Sequence, residues 1–329
     1  MRSKWNRASS TLDFKQDELN QLIGSAFPNG SVVEWQQAEG GLANTNIRLI
    51  VSGQTHPILL RLFVRDPQQA LKEWNINRIV RGAVPSPEFF YFAPTNPFTE
   101  HPYILMEWID GVLMEDVILN LPVGEVKTLG KSVGAALVAI HNFRFEHAGF
   151  FDAQMNIAHR IDLGGAGLIA YAKHCLVDGV GGERLGSSLS KRVLEFLDSE
   201  AHLLDEWHGQ PCLSHSDYGG SNILVKKHAD GWKVAAVLDW EFAFSGTPFF
   251  DLGNLLRAPH GTVPGFENAV SEGYQSAGGQ LPQRWRKMSL LTDLTAWMEF
   301  MTRANPGDNL IGDARRIISE TIDGWPISE

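Results

Sequence analysis

The feature that most constrains this chain is a short turn signal, Asp230-Gly231, set between two strand-prone runs at residues 223–227 and 233–238. Asp-Gly favours two-residue turns whose twist matches an antiparallel ribbon. With that dipeptide as the turn, Asn222 and Asp239 stand opposite one another at the open end, about 5 Å apart at Cα. Asp217 lies five positions before Asn222, in the run His215-Ser216-Asp217-Tyr218-Gly219-Gly220-Ser221-Asn222. An amide oxygen beside a carboxylate offers the hard donors that Mg²⁺ takes, with water and phosphate oxygens completing its octahedron. Asp217, just upstream, is placed to orient an acceptor hydroxyl and take up its proton. Phosphoryl transfer asks for little beyond such positioning and charge neutralisation. Each of the three residues alone is equally well explained as a turn or cap residue. Together, in register about one hairpin, they point to chemistry.

The rest of the chain divides by character. A short helix is expected at residues 15–26, closed by Pro28-Asn29-Gly30. Strand-prone runs follow at 31–39, 46–51, 58–64, 88–93 and 103–109, and Asp66-Pro67 opens a helix running to about Arg81. Beyond Gly111 the pattern turns helical. Leu129, Val133, Leu137 and Ile140 recur at helical spacing, predicting an amphipathic helix that ends near His141. The glycine-rich stretches 164–167 and 179–186 read as loops. Leu291, Leu294, Met298 and Met301 mark another helix, and 314–322 a last one. At 329 residues the chain exceeds what one hydrophobic core usually organises. The expectation is an α+β protein of two lobes, residues 1–107 and 108–329.

Composition narrows the function classes. A formal net charge of −10 disfavours nucleic acid as a partner, because phosphate-backbone binding relies on clustered Lys and Arg. No run of roughly 18 apolar residues occurs, so no membrane span is expected. Cys175 and Cys212 belong to no CxxC or Cys/His cluster, and no apolar segment follows the N-terminus as in a secretory leader. A reducing cytoplasm is the expected compartment. Gly130-Lys131-Ser132 resembles the end of a phosphate-binding loop, but Glu125 stands where that pattern needs glycine.

Residues 215–225 resemble the catalytic loop of the aminoglycoside phosphotransferase family, within the wider protein-kinase-like group. Val237-Leu238-Asp239-Trp240-Glu241 is similar to its metal-binding strand end, and Gly246-Thr247-Pro248-Phe249-Phe250-Asp251-Leu252-Gly253 to the segment that follows. The resemblance implies a bilobal protein-kinase-like fold: an N-terminal antiparallel β-sheet lobe and a mainly helical C-terminal lobe, with ATP or GTP bound between them with Mg²⁺. Asp217 would be the catalytic base, Asn222 and Asp239 the metal ligands, and Asp251 a brace for the catalytic loop. A turn covering the phosphates would be Gly40-Gly41-Leu42-Ala43-Asn44-Thr45-Asn46. There Gly40 and Gly41 permit close backbone approach, and Asn44 and Thr45 donate from side chains. Arg61 would face the phosphates, steadied by Glu73. Protein kinases carry Lys at that position, and Arg keeps the charge while changing the geometry; Arg65 is the competing cation. Backbone groups of Glu107 and Ile109 would bind the nucleobase, while His215 and His141 read as structural. Glu241 and helices from about Asn268 onward would contribute to the acceptor surface. The acceptor would be a hydroxyl of a small molecule. The alternatives are a metabolic kinase of the same fold acting on choline, homoserine or a related metabolite, and a non-catalytic nucleotide-binding module.

Overall fold

The computed structural model describes residues 12–38 and 44–325. Helix α1 (Gln16–Ile23) precedes strands β1 (Val32–Gln37), β2 (Thr45–Val51) and β3 (Ile58–Leu62). Helix α2 (Gln69–Val80) and strands β4 (Phe89–Ala93) and β5 (Tyr103–Glu107) complete the first lobe. The five strands form one antiparallel sheet in the order β1-β2-β3-β5-β4. Strict alternation decides which face each residue takes. Ile47, Leu49, Val51, Leu60 and Leu62 are buried on one face in a cluster with Leu19, Leu22 and Ile23 of α1. On the other face Phe63, Ile104 and Met106 gather around Ala70, with Trp74 of α2 packed alongside. Asp66 caps a preliminary turn by accepting from Gln68 N–H at 3.1 Å, so α2 begins at Gln69, later than the Asp-Pro signal indicated.

The remaining chain runs through β6 (Val112–Leu113), α3 (Met114–Val117), α4 (Val123–His141), β7 (Gly149–Phe151), β8 (Ile157–Arg160) and α5 (Gly165–Lys173). There follow α6 (Gly181–Leu185), α7 (Ser187–Glu200), β9 (Cys212–Ser214), the ribbon β10 (Ile223–His228) and β11 (Gly231–Val237), and β12 (Phe244–Gly246). Helices α8 (Pro248–Leu255), α9 (Phe266–Ser276), α10 (Trp285–Thr302) and α11 (Asp308–Asp323) close the fold. One large core holds these elements together and includes Leu129, Val133, Leu137 and Ile140 of α4. Ile76 and Val80 of α2 belong to that core too, so α2 is shared between the lobes. Helices α4 and α9 touch where a Cβ on Gly134 would stand 2.1 Å from the Val270 carbonyl oxygen, so only glycine fits there. Gly130, four residues earlier on α4, meets Ala269 in the same way, which explains the glycines there as packing devices. Among the described residues, no helix is long and apolar enough to cross a membrane.

Two expectations need correction. The glycines at 164–167 and 179–186 do not form plain loops: they open α5 and contain α6. At α5, Asp162 and Asp205 accept from Gly164 N–H and Gly165 N–H, satisfying helix-start donors, and a Cβ on Gly164 would stand 2.5 Å from Asp205 Oδ1. The ribbon's register also differs. Its turn residues are Ala229 and Asp230, with Gly231 at φ +120° pairing with His228. An irregularity between Leu224 and Val225 then shifts the pairing by one, so that Ile223 faces Val237. Leu238 N–H donates to Asn222 O at 2.8 Å. Asn222 therefore lies opposite Leu238, and Asp239 is the next residue along, turned into a left-handed φ of 64°.

Candidate active site

The lower wall of the site is the loop between β9 and β10. Asp251, at the first turn of α8, is fully buried and accepts from His215 N–H at 2.9 Å and Ser216 N–H at 2.7 Å. The second interaction holds Ser216 at φ 64°, where a residue with a Cβ needs outside support. His141 Nε2 lies 2.9 Å from the same carboxylate and its Nδ1 2.9 Å from Tyr274 Oη, tying the loop to α4 and α9. His215 donates from Nε2 to Leu238 O at 2.8 Å and accepts Asp217 N–H at Nδ1, so both ring nitrogens are used structurally. Tyr218 Oη donates to Val133 O. On this frame Asp217 and Asn222 meet: Asn222 Nδ2 donates to Asp217 Oδ2 at 2.7 Å and to its carbonyl at 2.8 Å. The amide nitrogen is thereby spent on Asp217, and Asn222 Oδ1 is the atom left to face elsewhere.

The upper wall carries charge. Arg61 Nη1 is 2.9 Å from Glu73 Oε2 and 3.6 Å from Asp239 Oδ1, and its Nε donates to Asn46 Oδ1. Burial works against the Arg61 charge, but Glu73, Asp239 and Glu241 outweigh it and hold its pKa above the ordinary value. Burial, reinforced by Asp239 and Glu241, pushes the Glu73 carboxyl up against the pull of Arg61. Asp239 Oδ1 and Glu73 Oε1 are buried without a hydrogen-bond partner. Asp239 Oδ1 and Asn222 Oδ1 are the oxygens here that a hard cation would take. No group of three or more His, Cys, Asp and Glu side chains is placed to hold a metal among the described residues. An amide plus one carboxylate is nevertheless a sufficient protein share for Mg²⁺, which keeps water and phosphate ligands.

Of the other residues singled out in the sequence, Gly40 and Gly41 lie outside the described residues. Asn44 is buried at the start of β2. Thr45 opens β2. It is buried on the α1 side of the sheet, where its hydroxyl accepts from Leu12 N–H, while Arg61 occupies the opposite face. Asn46 shares the Arg61 face instead, by the two-residue alternation of the strand. At the connector, Glu107 N–H donates to Glu88 O and Trp108 N–H to Pro57 O. Ile109 N–H makes no hydrogen bond among the described residues. Glu241 contacts the first lobe: its carboxylate binds Arg65 Nη2 at 2.5 Å and its carbonyl accepts from Lys72 Nζ at 2.8 Å. Nothing in the local pattern announces these pairs. A separate groove of about 420 Å³, lined by Thr128, Lys131, Trp232 and Gly273 among others, contains none of the site residues.

A sheet lobe presenting an Arg–Glu pair, set over a helical lobe that presents an acid–amide loop and a carboxylate, defines the protein-kinase-like phosphotransferase fold. The solved structures agree on the fold. An aminoglycoside 2′-phosphotransferase in complex with GDP is 16% identical with a TM-score of 0.70, covering 94% of this chain and 99% of that one. A GDP and kanamycin complex of a related APH(2″) enzyme is 16% identical with a TM-score of 0.68, covering 95% and 100%. A ternary complex of the aminoglycoside phosphotransferase APH(4)-Ia with AMP-PNP and hygromycin B is 18% identical with a TM-score of 0.67, covering 94% and 100%. The chain belongs to the phosphotransferase enzyme family, which it matches over residues 34–291. No curated protein matches it by sequence.

Proposed function

We propose that this chain is a Mg²⁺-dependent kinase that moves the γ-phosphoryl group of ATP or GTP to a hydroxyl of a small molecule, with residues 1–107 and 108–329 as the two lobes. The observation that carries the reading is that Arg61 of β3 stands 3.6 Å from Asp239, the residue after Leu238, whose N–H donates to Asn222 O, while Asn222 is held against Asp217. Arg61 supplies a fixed positive charge for the phosphates, and Glu73 keeps its guanidinium from swinging away. Asn222 Oδ1 and Asp239 Oδ1 would hold the magnesium ion, which when bound neutralises charge on the phosphate oxygens. Asp217 orients the acceptor hydroxyl and takes its proton as the acceptor oxygen bonds to the γ-phosphorus. The bond from that phosphorus to the bridging oxygen breaks, and the nucleoside diphosphate leaves with the electron pair. The connector from Glu107 to Ile109 would receive the base. Both cysteines are buried and unpaired, as a reducing cytoplasm permits.

The GDP, AMP-PNP, kanamycin and hygromycin B in the solved complexes belong to those proteins, and at 16–18% identity they leave donor and acceptor open here. The test has two steps. Thermal stabilisation by ATP and by GTP is measured with and without Mg²⁺, and then phosphate transfer is assayed across aminoglycosides, macrolides, choline and amino alcohols. Metal-dependent stabilisation followed by transfer that Asp217→Asn removes is the expected result. Stabilisation indifferent to metal, with no transfer to any acceptor, would leave a nucleotide-binding module instead.

A further inference from the structure

Three cations, one each from β3, the β3–α2 connection and α2, reach across to one short segment of the other lobe. Arg61 approaches Asp239, Arg65 binds the Glu241 carboxylate, and Lys72 Nζ donates to the Glu241 carbonyl. Glu241 is only 8% exposed, so its end of the ion pair is buried while the Arg65 end reaches solvent. The same flank is tied elsewhere. Asn75 Nδ2 donates to Ala153 O, and Val237 N–H, two residues before Asp239, donates to Pro85 O. Between these ties Asp239 is kept at φ 64°, a conformation that persists only where its surroundings over-determine it. The bond from His215 to Leu238 O fixes the residue before Asp239. On its other side, the contacts made by Glu241 fix the residue two positions after it.

We infer that Arg65 and Lys72 are positioning residues: by gripping Glu241 at both its carboxylate and its carbonyl, they hold the lobes closed and set Asp239 beneath Arg61 before any nucleotide arrives. The Arg61–Asp239 contact cannot itself be the lasting tie, because the phosphates and the metal compete for its two partners. Arg65 and Lys72 are instead engaged with Glu241, which is not among the residues assigned to metal or phosphate. The purpose assigned to the clasp rests on the phosphotransferase reading, whereas the clasp as a contact between lobes does not.

The experiment compares wild type, Arg65→Ala, Arg65→Lys, Glu241→Gln and the double variant Arg65→Ala/Glu241→Gln, all as full chains. Amide hydrogen exchange is read on nucleotide-free protein, and affinity is read by titration with ADP plus Mg²⁺. Arg65→Ala should speed exchange across residues 236–241 and weaken Mg·ADP about tenfold, the loss expected if the closed pose falls to roughly a tenth of the population. Arg65→Lys should restore both readings, because the contact is a single nitrogen–oxygen pair that a point charge can make. The double variant should be no worse than either single one. Unchanged exchange in Arg65→Ala overturns the inference, and so do additive losses in the double variant. A weakened Arg65→Ala that Lys fails to rescue also overturns it, since the guanidinium would then be touching nucleotide itself. If wild type bound no Mg·ADP, the phosphotransferase reading would fall, and the exchange comparison would still decide the clasp.

Discussion

The two walls of the site are built on opposite terms. In the lower wall the charge of Asp251 is surrounded by the donors it needs: two backbone N–H groups and an imidazole, all within 2.9 Å. In the upper wall Arg61 is shared among Glu73, Asp239 and Asn46, and two buried carboxylate oxygens remain without hydrogen bonds. A satisfied network is stiff, because every displacement breaks a bond in a low-dielectric setting. A wall with surplus acceptors is poised to take a cation and is costly to keep empty. The contrast separates a satisfied scaffold around Asp217 from a wall that, on the proposed function, would receive metal and phosphate.

Removing the residue that the scaffold aims gives the largest expected effect. Asp217→Asn keeps the size and the contact with Asn222 but cannot accept a proton, so acceptor turnover should fall about a thousandfold. Mg²⁺-dependent nucleotide binding should hold within about threefold. Normal turnover in that variant would break the assignment of Asp217. Attacking the scaffold itself comes next. Asp251→Ala strands His215 N–H, Ser216 N–H and His141 in a buried site, which should cost about 3 kcal/mol in a urea unfolding experiment. A cost below about 1 kcal/mol would mean that the lower wall is not the stiff one. The receptor wall is tested by Asp239→Ala, which should abolish the Mg²⁺-dependent part of nucleotide stabilisation, about 2.7 kcal/mol at a hundred times the dissociation constant. A metal-dependent shift of ordinary size would relocate the metal seat.

The lower wall was the more legible of the two, because what builds it is local. Asp217 and Asn222 sit five residues apart on one loop, and the strands of the ribbon announce themselves by composition. Even there the register was misread: Gly231 takes its left-handed φ after the turn rather than inside it, and the slip at Leu224 has no compositional mark. The face that Thr45 takes was legible as well. Ile47, Leu49 and Val51 form an apolar alternation that includes Thr45 and leaves Asn46 with Arg61. The upper wall's remaining contacts were out of reach. Arg65 and Lys72 meet Glu241 across 176 and 169 residues, and a charge on a helix looks the same in sequence whether solvated or bound to a distant carbonyl.

The smallest effect sharpens the comparison through pH. Burial pushes the Lys72 ammonium down to about 8, against the opposing pull of Glu73, Glu241 and Asp66. Its folded pKa therefore lies below its unfolded value near 10.5. Between those two values the unfolded chain holds a proton that the folded chain has released, so this group makes stability rise with pH across that window. Lys72→Met carries no such proton. At pH 7 it loses the bond to Glu241 O but also the burden of a half-buried charge, and should stay within about 1 kcal/mol of wild type. Urea midpoints taken at pH 7, 8, 9 and 10 should then show wild type gaining on the variant from about pH 8 upward. Buried tyrosines, whose ionisation works against stability at the alkaline end, are common to both proteins and cancel in the difference. Parallel curves would mean that Lys72 is as well solvated as a surface lysine, and the upper wall would lose one of the strained charges that set it apart from the lower.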